Sequence, residues 1–287
     1  MRFSFIDAEK VHYPVALMCR MLAVSRSGYY ASRGRCESKR SREDRRLLVK
    51  VKASHMTSRG TYGSPRVHRD LREDGETIGR ERVARLMRQA GLRSKRRRRY
   101  RVTTQSTHGH PVAENVLERN FTADAVNCKW AADITYVWTH GGWLYLAVVL
   151  DLYSRRVIGW GMSTRITGQL VLDALCMALT HRQRPQILVH HSDQGSQYAS
   201  NDYQRLLRNH GIECSMSRRG NCWDNAVVES FFATLKTELT HHEIYQNPNQ
   251  AKGEIFEFIE VFYNQQRRHS TLGYQTPADF ERATLTA

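Results

Sequence analysis

Residues 217–239 read SRRGNCWDNAVVESFFATLKTEL, a polar, glycine-containing loop that runs into an amphipathic helix. Large apolar side chains recur there at three- and four-residue steps and predict one buried stripe, formed by Val228, Phe231, Phe232, Leu235 and Leu239. Glu229 lies at the edge of this stripe, near the rim of the core, where a carboxylate needs a compensating partner. The stretch therefore predicts a helix that anchors the fold and presents one acidic side chain.

The positive charge of the chain is concentrated at one end. The 287 residues carry a formal net charge of +16, and residues 1–123 alone hold 29 Lys and Arg against 12 Asp and Glu, a net charge of +17. Residues 93–101 contain seven basic side chains in nine positions, among them Arg96, Arg97, Arg98 and Arg99. We expect this run to follow a nucleic-acid phosphate backbone, and a solvated or partly disordered basic tail is the alternative.

The cysteines and the hydropathy pattern exclude several other classes of protein. Six cysteines are scattered without a C-x-x-C pair, which indicates reduced thiols and argues against a structural zinc site. No apolar signal segment is present, and the longest apolar run, residues 144–150, is too short to span a bilayer. We expect a cytoplasmic protein without a membrane partner.

A pair of short helices is predicted in the basic region. Residues 64–74 and 80–90 both have helical periodicity, and a glycine-containing turn joins them. Arg80, Arg82 and Arg85 lie along the second helix. Such a pair is typical of a helix-turn-helix DNA-binding unit, and a generic helical hairpin is the alternative.

From residue 128 the pattern predicts an α/β fold. Strands are predicted at residues 129–138, 143–150, 157–162, 187–190 and 213–217. Further amphipathic helices are predicted at residues 168–182, 202–210 and 250–264. Three strands in a meander, followed by alternating helices and strands, predict a mixed five-stranded sheet with flanking helices. The expected division is a helical segment (1–40), a helix-turn-helix-like module with the basic run (41–102), a linker (103–123), the α/β core (124–240) and a helical tail (241–287).

Three carboxylates stand out in the α/β region. Asp133 lies inside an otherwise apolar strand, Asp193 lies just past the end of another, and Glu229 lies on the rim of its helix. Carboxylates that meet repel one another unless a cation compensates, and oxygen ligands suit Mg²⁺ or Mn²⁺. Two such ions would stabilise both the attacking and the leaving oxygen of a phosphoryl transfer. Asp151 is a competing fourth acid, and each acid alone is also compatible with a cap, a turn or an ion pair.

The spacing of these acids, 59 and then 35 intervening residues, resembles the DDE signature of retroviral-type integrases and transposases. The segments WAADITYV, LDLYSRRVIGW, HHSDQGSQY, RRGNCWDNAVVESFF and YNQQRRHSTLGYQTPADF resemble those of OrfB transposases of the insertion-sequence-three family. The segments TYGSPRVHRDLREDG and RVARLMRQAGLRS resemble the DNA-binding module of the same family. The resemblance covers nearly the whole chain.

The resemblance implies an RNase H-like core in which Asp133, Asp193 and Glu229 are the catalytic and metal-binding residues. It implies Mg²⁺ (or Mn²⁺), with two ions in each active site. It also implies a basic residue seven positions after the glutamate, here Lys236, that holds a terminal phosphate or base; a solvated helix lysine is the alternative. In the loop before the helix, Arg218, Arg219 and Asn225 are candidate DNA contacts.

The activity implied is that of a DDE transposase. It would cleave double-stranded DNA at the terminal repeats of an insertion sequence and join the freed 3′-hydroxyl to a target. The resemblance further implies a homo-oligomer on DNA, a bacterial, nucleoid-associated location, and OrfA or an OrfA–OrfB fusion as a partner. A catalytically silent DNA-binding regulator and an RNase H-like structure-specific nuclease are the alternatives.

The basic run generates a first prediction. DNA affinity should fall steeply with salt because each neutralised phosphate releases counterions. Neutralising Arg96, Arg97, Arg98 and Arg99 should make the slope of log affinity against log salt shallower by roughly 3 to 4, about 0.9 for each phosphate contact. Titration of labelled DNA at several salt concentrations measures this slope, and an unchanged slope would refute the role.

Overall fold

The structure, a computed structural model, describes residues 2–34, 36–95, 111–182, 187–218 and 222–285. The predicted DNA contacts Arg96, Arg97, Arg98, Arg99 and Arg219 lie outside the described residues. The chain forms two compact units, Met1–Lys52 and Ala53–Ala287. In the described part of the chain no helix is both long and apolar enough to cross a bilayer. The finer five-part division stays a prediction.

The first unit is helical. Its helices are α1 (Arg2–Glu9), α2 (Val15–Met21) and α3 (Arg26–Arg33), and α4 (Lys39–Thr57) begins in it. The first three helices enclose a small buried cluster of Ile6, Met18, Cys19 and Tyr29. Ser25 caps α3, because its hydroxyl accepts a hydrogen bond from the Gly28 amide at 3.0 Å. The helix α1 is not predicted by the sequence pattern.

The predicted pair of short helices is confirmed. These helices are α5 (Ser64–Glu73) and α6 (Arg80–Gln89), and Gly75 between them has φ +80°, a conformation that glycine adopts without strain. Their inward side chains are buried: Val67, Leu71, Val83, Leu86 and Met87. His68 holds the connection, since its Nε2 lies 3.0 Å from the carbonyl oxygen of Ile78.

The predicted mixed five-stranded sheet is also confirmed. Its strands are β1 (Lys129–Thr139), β2 (Gly142–Asp151), β3 (Val157–Ser163), β4 (Val189–Ser192) and β5 (Glu213–Met216). Their order in space is β3-β2-β1-β4-β5, with β1, β2 and β3 antiparallel and with β4 parallel to both β1 and β5. The short β4 pairs with Lys129, Trp130 and Ala131. Beyond these residues, β1 has no further strand on that side in the described part of the chain.

Helices cover both faces of the sheet. One face packs against α7 (Gly168–His181) and α8 (Asn201–Asn209), and the other packs against α9 (Ala226–Leu235) and α10 (Pro248–Glu257). The contact of α7 with β3 is so close that a Cβ atom at Gly159 would lie 2.1 Å from the carbonyl oxygen of Ala174. Glycine is therefore required there by backbone packing.

The C-terminal segment is more ordered than its Gly/Pro sequence suggests. The helices α9 and α10 continue into π-helical turns, Lys236–Thr240 and Phe258–Tyr263, and a last helix, α11 (Pro277–Leu285), follows. Glu281 fastens α11, because it accepts hydrogen bonds from Ser154 at 2.6 Å, Arg156 at 2.8 Å and Arg182 at 2.6 Å. These partners come from the β2–β3 turn and the end of α7, so the sequence around α11 does not indicate them.

The α5–α6 pair is joined to this C-terminal segment. The Tyr62 hydroxyl donates to the Gln266 carbonyl at 3.0 Å and accepts from the Arg268 amide at 2.8 Å. The Arg268 guanidinium pairs with Asp70 and Glu73 on α5. Charge-assisted bonds of this kind fix the geometry of a contact as well as strengthening it.

The close contact at Gly159 generates a second prediction. Gly159→Ala should lower the free energy of unfolding by about 3 kcal/mol, since the new methyl group collides with helix backbone that cannot move aside. Gly253→Ala on α10 is the matched control, because nothing lies within 4 Å of its Cβ position and alanine favours a helix. Urea unfolding of both variants measures the difference, and equal midpoints would contradict the assigned packing.

Candidate active site

Two of the predicted acids meet where the β1–β4 pairing stops. Asp133 lies two residues beyond Ala131, the last β1 residue paired with β4, and Asp193 directly follows the end of β4. The Asp133 Oδ1 accepts from the Ile134 amide at 2.7 Å, and the Asp193 Oδ1 accepts from the Gly195 amide at 2.9 Å. A Cβ atom at residue 195 would lie 2.9 Å from the same Asp193 oxygen, so glycine permits this turn.

The electrostatics of Asp133 link it to the other predicted residues. Its pKa is raised well above the usual value, first by burial and then by the negative charge of Asp193. The hydrogen bond from Ile134 lowers this pKa, Glu229 raises it further, and Lys236 lowers it slightly. The three acids and the lysine that the sequence singles out therefore share one electrostatic neighbourhood.

Glu229 is placed by α9. All five apolar residues of the predicted stripe are buried: Val228, Phe231, Phe232, Leu235 and Leu239. Glu229 itself is exposed at the side of this stripe. At the helix N-terminus, the side-chain amide of Asn225 donates to the carbonyl oxygen of Ala132 at 3.1 Å, one residue before Asp133. This bond fixes the start of α9 against β1.

Asn225, a predicted DNA contact, has a structural bond in this conformation, and its contact with DNA stays a prediction. Asn225 is buried, and its amide bonds to the backbone of the sheet. A buried amide that satisfies a strand carbonyl is a positioning group for α9. Its sequence position beside the loop could not reveal this, because the acceptor lies 93 residues away.

Arg218, another predicted DNA contact, is engaged by a residue that the sequence analysis missed. Asp224 is fully buried, and its carboxylate accepts several hydrogen bonds. Arg218 donates to it from its backbone amide at 3.0 Å and from its Nε at 3.1 Å. Others come from the Arg119 Nε at 2.8 Å and from the Asn115 side-chain Nδ2 at 3.0 Å. The hydrogen bond from Arg218 is the largest cause that holds the pKa of Asp224 far below its usual value. Arg218 thus shares one carboxylate with Arg119, which compensates part of their charge, and its contact with DNA stays a prediction. The sequence contained one sign that Asp224 has a structural role, because it lies just before the start of α9, where an acid can cap a helix.

Lys236 follows α9 directly and lies on the side of the catalytic candidates. Its Nζ is 5.3 Å from the centre of the Tyr136 ring, within range of a cation–π contact. Burial lowers the pKa of Lys236, and both Tyr136 and Asp133 raise it. The predicted proximity of Lys236 to the acids agrees with this geometry; its contact with DNA stays a prediction.

Asp151, the competing acid, has a different environment. It is fully buried at the end of β2, and its two carboxylate oxygens accept from the amides of Asn127 and Tyr153, each at 2.8 Å. Burial raises its pKa. With both oxygens bonded to backbone, Asp151 closes the β2–β3 turn.

The remaining predicted contacts lie on α6, a separate element. Arg80 is exposed, Arg82 and Arg85 are half-buried, and the Arg85 guanidinium donates to Gln89 at 3.3 Å. The structure therefore places these arginines on the second helix of the pair, as the sequence indicates. It does not bring them among the carboxylates.

The donor set at the β1–β4 edge suits a hard divalent cation. The donors are carboxylate oxygens, and their mutual repulsion raises the pKa of Asp133, which a bound cation would reverse. Among the described residues no three acidic, histidine or cysteine side chains lie close enough together to hold a metal ion in this conformation. Asp133, Asp193 and Glu229 carry oxygens of the kind that such a cation prefers, and their role as its ligands stays a prediction.

Comparisons with known proteins show the family of the chain. Residues 123–222 and 210–277 match two models of the integrase core domain, and residues 41–100 match an HTH-like domain. The chain is 44% identical over 287 residues to the transposase InsF for insertion sequence IS3A of Escherichia coli (strain K12), across 99% of this chain and 100% of that protein. The chain belongs to the IS3 family of transposases. It is also 46% identical, over 92% of its length and 97% of the relative, to the insertion element IS600 uncharacterized 31 kDa protein of Shigella sonnei.

Two solved structures resemble this IS3-family transposase more distantly. The simian T-cell lymphotropic virus intasome, in complex with PP2A regulatory subunit B56 gamma, has a TM-score of 0.48 at 16% identity, with 81% of this chain and 74% of that chain covered. The HTLV-2 integrase catalytic core domain in complex with magnesium (dimeric form) has a TM-score of 0.42 at 17% identity, with 55% and 98% covered.

The raised pKa of Asp133 in the transposase generates a third prediction. A carboxyl group whose pKa is higher in the folded than in the unfolded state destabilises the fold at pH values above its unfolded-state pKa, and so at neutral pH. Asp133→Asn keeps an oxygen that can accept from Ile134 and removes the charge, so without metal it should raise the melting temperature by a few degrees.

The dependence of this gain in melting temperature on pH tests whether the pKa of Asp133 is raised in the folded state. The gain in Asp133→Asn should be present at pH 7 and should vanish as the pH falls below about 4, the unfolded carboxyl pKa. Calorimetry in EDTA at a series of pH values measures it. Asp173→Asn on α7, an exposed acid hydrogen-bonded to Gln169, is the control and should show no gain. A lower melting temperature for Asp133→Asn at pH 7 would contradict the assigned electrostatics.

Proposed function

We propose that Asp133, Asp193 and Glu229 are the catalytic carboxylates of a DDE centre that cuts DNA at the ends of an insertion sequence and joins the freed 3′-hydroxyl to a target. The observation that carries the proposal is the raised pKa of Asp133, caused by burial, by Asp193 and by Glu229 at the edge where β4 stops. Strained electrostatics of this kind concentrate at functional sites.

The three carboxylates would hold Mg²⁺ or Mn²⁺, two ions in each site, and the ions would activate the nucleophile and neutralise charge at the transferred phosphorus. Asp133 and Asp193 are suited to this because both are tied to rigid backbone through the Ile134 and Gly195 amides. Glu229 lies at the exposed side of α9, where a metal ion can reach it. Asn225 positions Glu229 by fixing α9 against β1.

Lys236 would hold a terminal phosphate or base of the DNA end. Its half-buried ammonium lies over Tyr136 and close enough to Asp133 to affect the pKa of both side chains. A cation in this place orients a phosphate without taking part in the bond changes. No protein nucleophile is required, because water and then the 3′-hydroxyl attack phosphorus.

The partners follow from the same reaction. The basic region with the α5–α6 pair would bind the terminal repeats, and the carboxylate site would take first the transposon end and then the target. Two ends must be held together, so at least two protomers act on DNA, in the bacterial cytoplasm at the nucleoid. OrfA or an OrfA–OrfB fusion would share this work. We also propose the five-part division of the chain, because the binding of the repeats and the chemistry are assigned to different segments.

The test is strand transfer with a labelled, pre-cleaved DNA end. Wild type should give joined products with MgCl₂, and Asp193→Asn should reduce them by more than about 100-fold because it removes a metal-binding carboxylate. Asp173→Asn should join normally. MgCl₂ should also raise the melting temperature of wild type more than that of Asp133→Asn, a readout independent of activity.

The outcomes separate the alternatives. DNA that is cut but never joined would indicate a structure-specific nuclease. DNA that is bound but neither cut nor joined would indicate a regulator. Equal joining by Asp193→Asn and wild type would refute the role of the carboxylates.

A further inference from the structure

A pocket of about 310 Å³ lies beside α9, on a different side of the helix from Glu229. Ser230 and Thr234 of α9 line it, and Ser230 is about 100° around the helix axis from Glu229. Three arginines complete it: Arg66 from α5, Arg155 from the β2–β3 turn and Arg267 from the segment after α10. Elements far apart in sequence thus bring three positive charges to one cavity.

One carboxylate compensates part of this charge. Glu238 accepts from the Arg267 guanidinium through both oxygens, each at 2.7 Å, and lies 3.7 Å from the Arg66 guanidinium. A single negative charge can neutralise one of three positive charges. In the part of the chain that the structure describes, the guanidinium of Arg155 has no ion pair or hydrogen bond, and Asp151 acts on it through space. The pocket therefore keeps an excess of positive charge.

Arg155 also has an unfavourable backbone conformation. Its φ is +62°, in the left-handed region that favours glycine and asparagine. Burial of its guanidinium is unfavourable too, and it lowers the pKa of Arg155. The fold does not need an arginine at this turn, since glycine would fit the same backbone without strain.

The pKa of His269, which also lines the pocket, indicates the same positive potential. Its pKa is lowered to about 2, first by burial and then by the charges of Arg267, Arg66 and Arg155. The imidazole is therefore neutral and adds no charge of its own. The rim carries exposed hydroxyl groups from Ser230, Ser270 and Thr271. Guanidinium and hydroxyl groups, which here line the pocket together with apolar side chains such as Leu150 and Phe231, are donors that bind a phosphate group.

We propose that this pocket binds one phosphate of the DNA backbone, next to the helix that carries Glu229; the proposal rests on the DNA substrate of the proposed function. The planar guanidinium of Arg155 can donate two parallel hydrogen bonds to phosphate oxygens, and Arg66 supplies the second charge. DNA seated here would lie against α9.

The test compares DNA binding by Arg155→Gly with that of wild type. Glycine suits the φ of residue 155, so the melting temperature should be unchanged or higher, and a loss of binding is then not a loss of fold. The slope of log affinity against log salt should become shallower by about 0.9, the value for one phosphate contact. Arg165→Gln, an exposed arginine in the loop after β3, is the matched charge control and should change the slope less.

Two results would overturn the proposal. One is a slope for Arg155→Gly equal to that of wild type; the other is an equal decrease in Arg165→Gln, which would mean that net charge alone is responsible. A further arm adds inorganic phosphate at constant ionic strength. Phosphate could raise the melting temperature of wild type but not of Arg155→Gly, while both proteins show the same slope of log DNA affinity against log salt. That result would mean that the pocket binds a free anion and that its assignment to DNA is wrong. These readouts measure binding, so a failure of the proposed chemistry would appear separately, as absent joining.

Discussion

The difference in length between β1 and β4 is the constraint on which the rest of this transposase depends. Because β4 pairs with Lys129, Trp130 and Ala131 and then ends, Asp133 lies at an open sheet edge with Asp193 beside it. The Asn225 amide binds the Ala132 carbonyl at that edge and fixes the start of α9 there. A short strand and one side-chain hydrogen bond thus bring acids from three separate segments into one neighbourhood.

Other buried acids in the chain have their charge satisfied by hydrogen-bond donors, and this contrast makes the carboxylate site distinct. Asp151, Asp224 and Glu281 are all buried, and each is satisfied by backbone amides, by arginines, or by both. Asp133 has one backbone donor and two acidic neighbours, so its ionised form is disfavoured. Where a buried carboxylate has a structural role, the fold supplies hydrogen-bond donors to it. At the β1–β4 edge the repulsion between the carboxylates is left in place, and the proposed cation would relieve it.

Much of the fold follows from local sequence pattern. The α9 stripe, the α5–α6 pair and four of the five strands appear close to where the pattern predicts them, because each element buries a regular face. The strand predicted at residues 187–190 is observed as Val189–Ser192, since pairing with β1 sets its ends. The helices α1 and α11 were not predicted. The second depends on Glu281, whose partners lie at least 99 residues away.

The sequence by itself determined which acids are unusual: Asp133 within a strand, Asp193 after one and Glu229 beside an apolar stripe. Local propensity makes such positions unfavourable, and that is visible without coordinates. The tertiary structure alone decided the roles of their neighbours. Asn225 bonds to the carbonyl of Ala132, 93 residues away, and Asp224 binds Arg119, 105 residues away, as well as the nearby Arg218. Periodicity records which face of an element is buried; it carries no information about which distant group meets a polar side chain there.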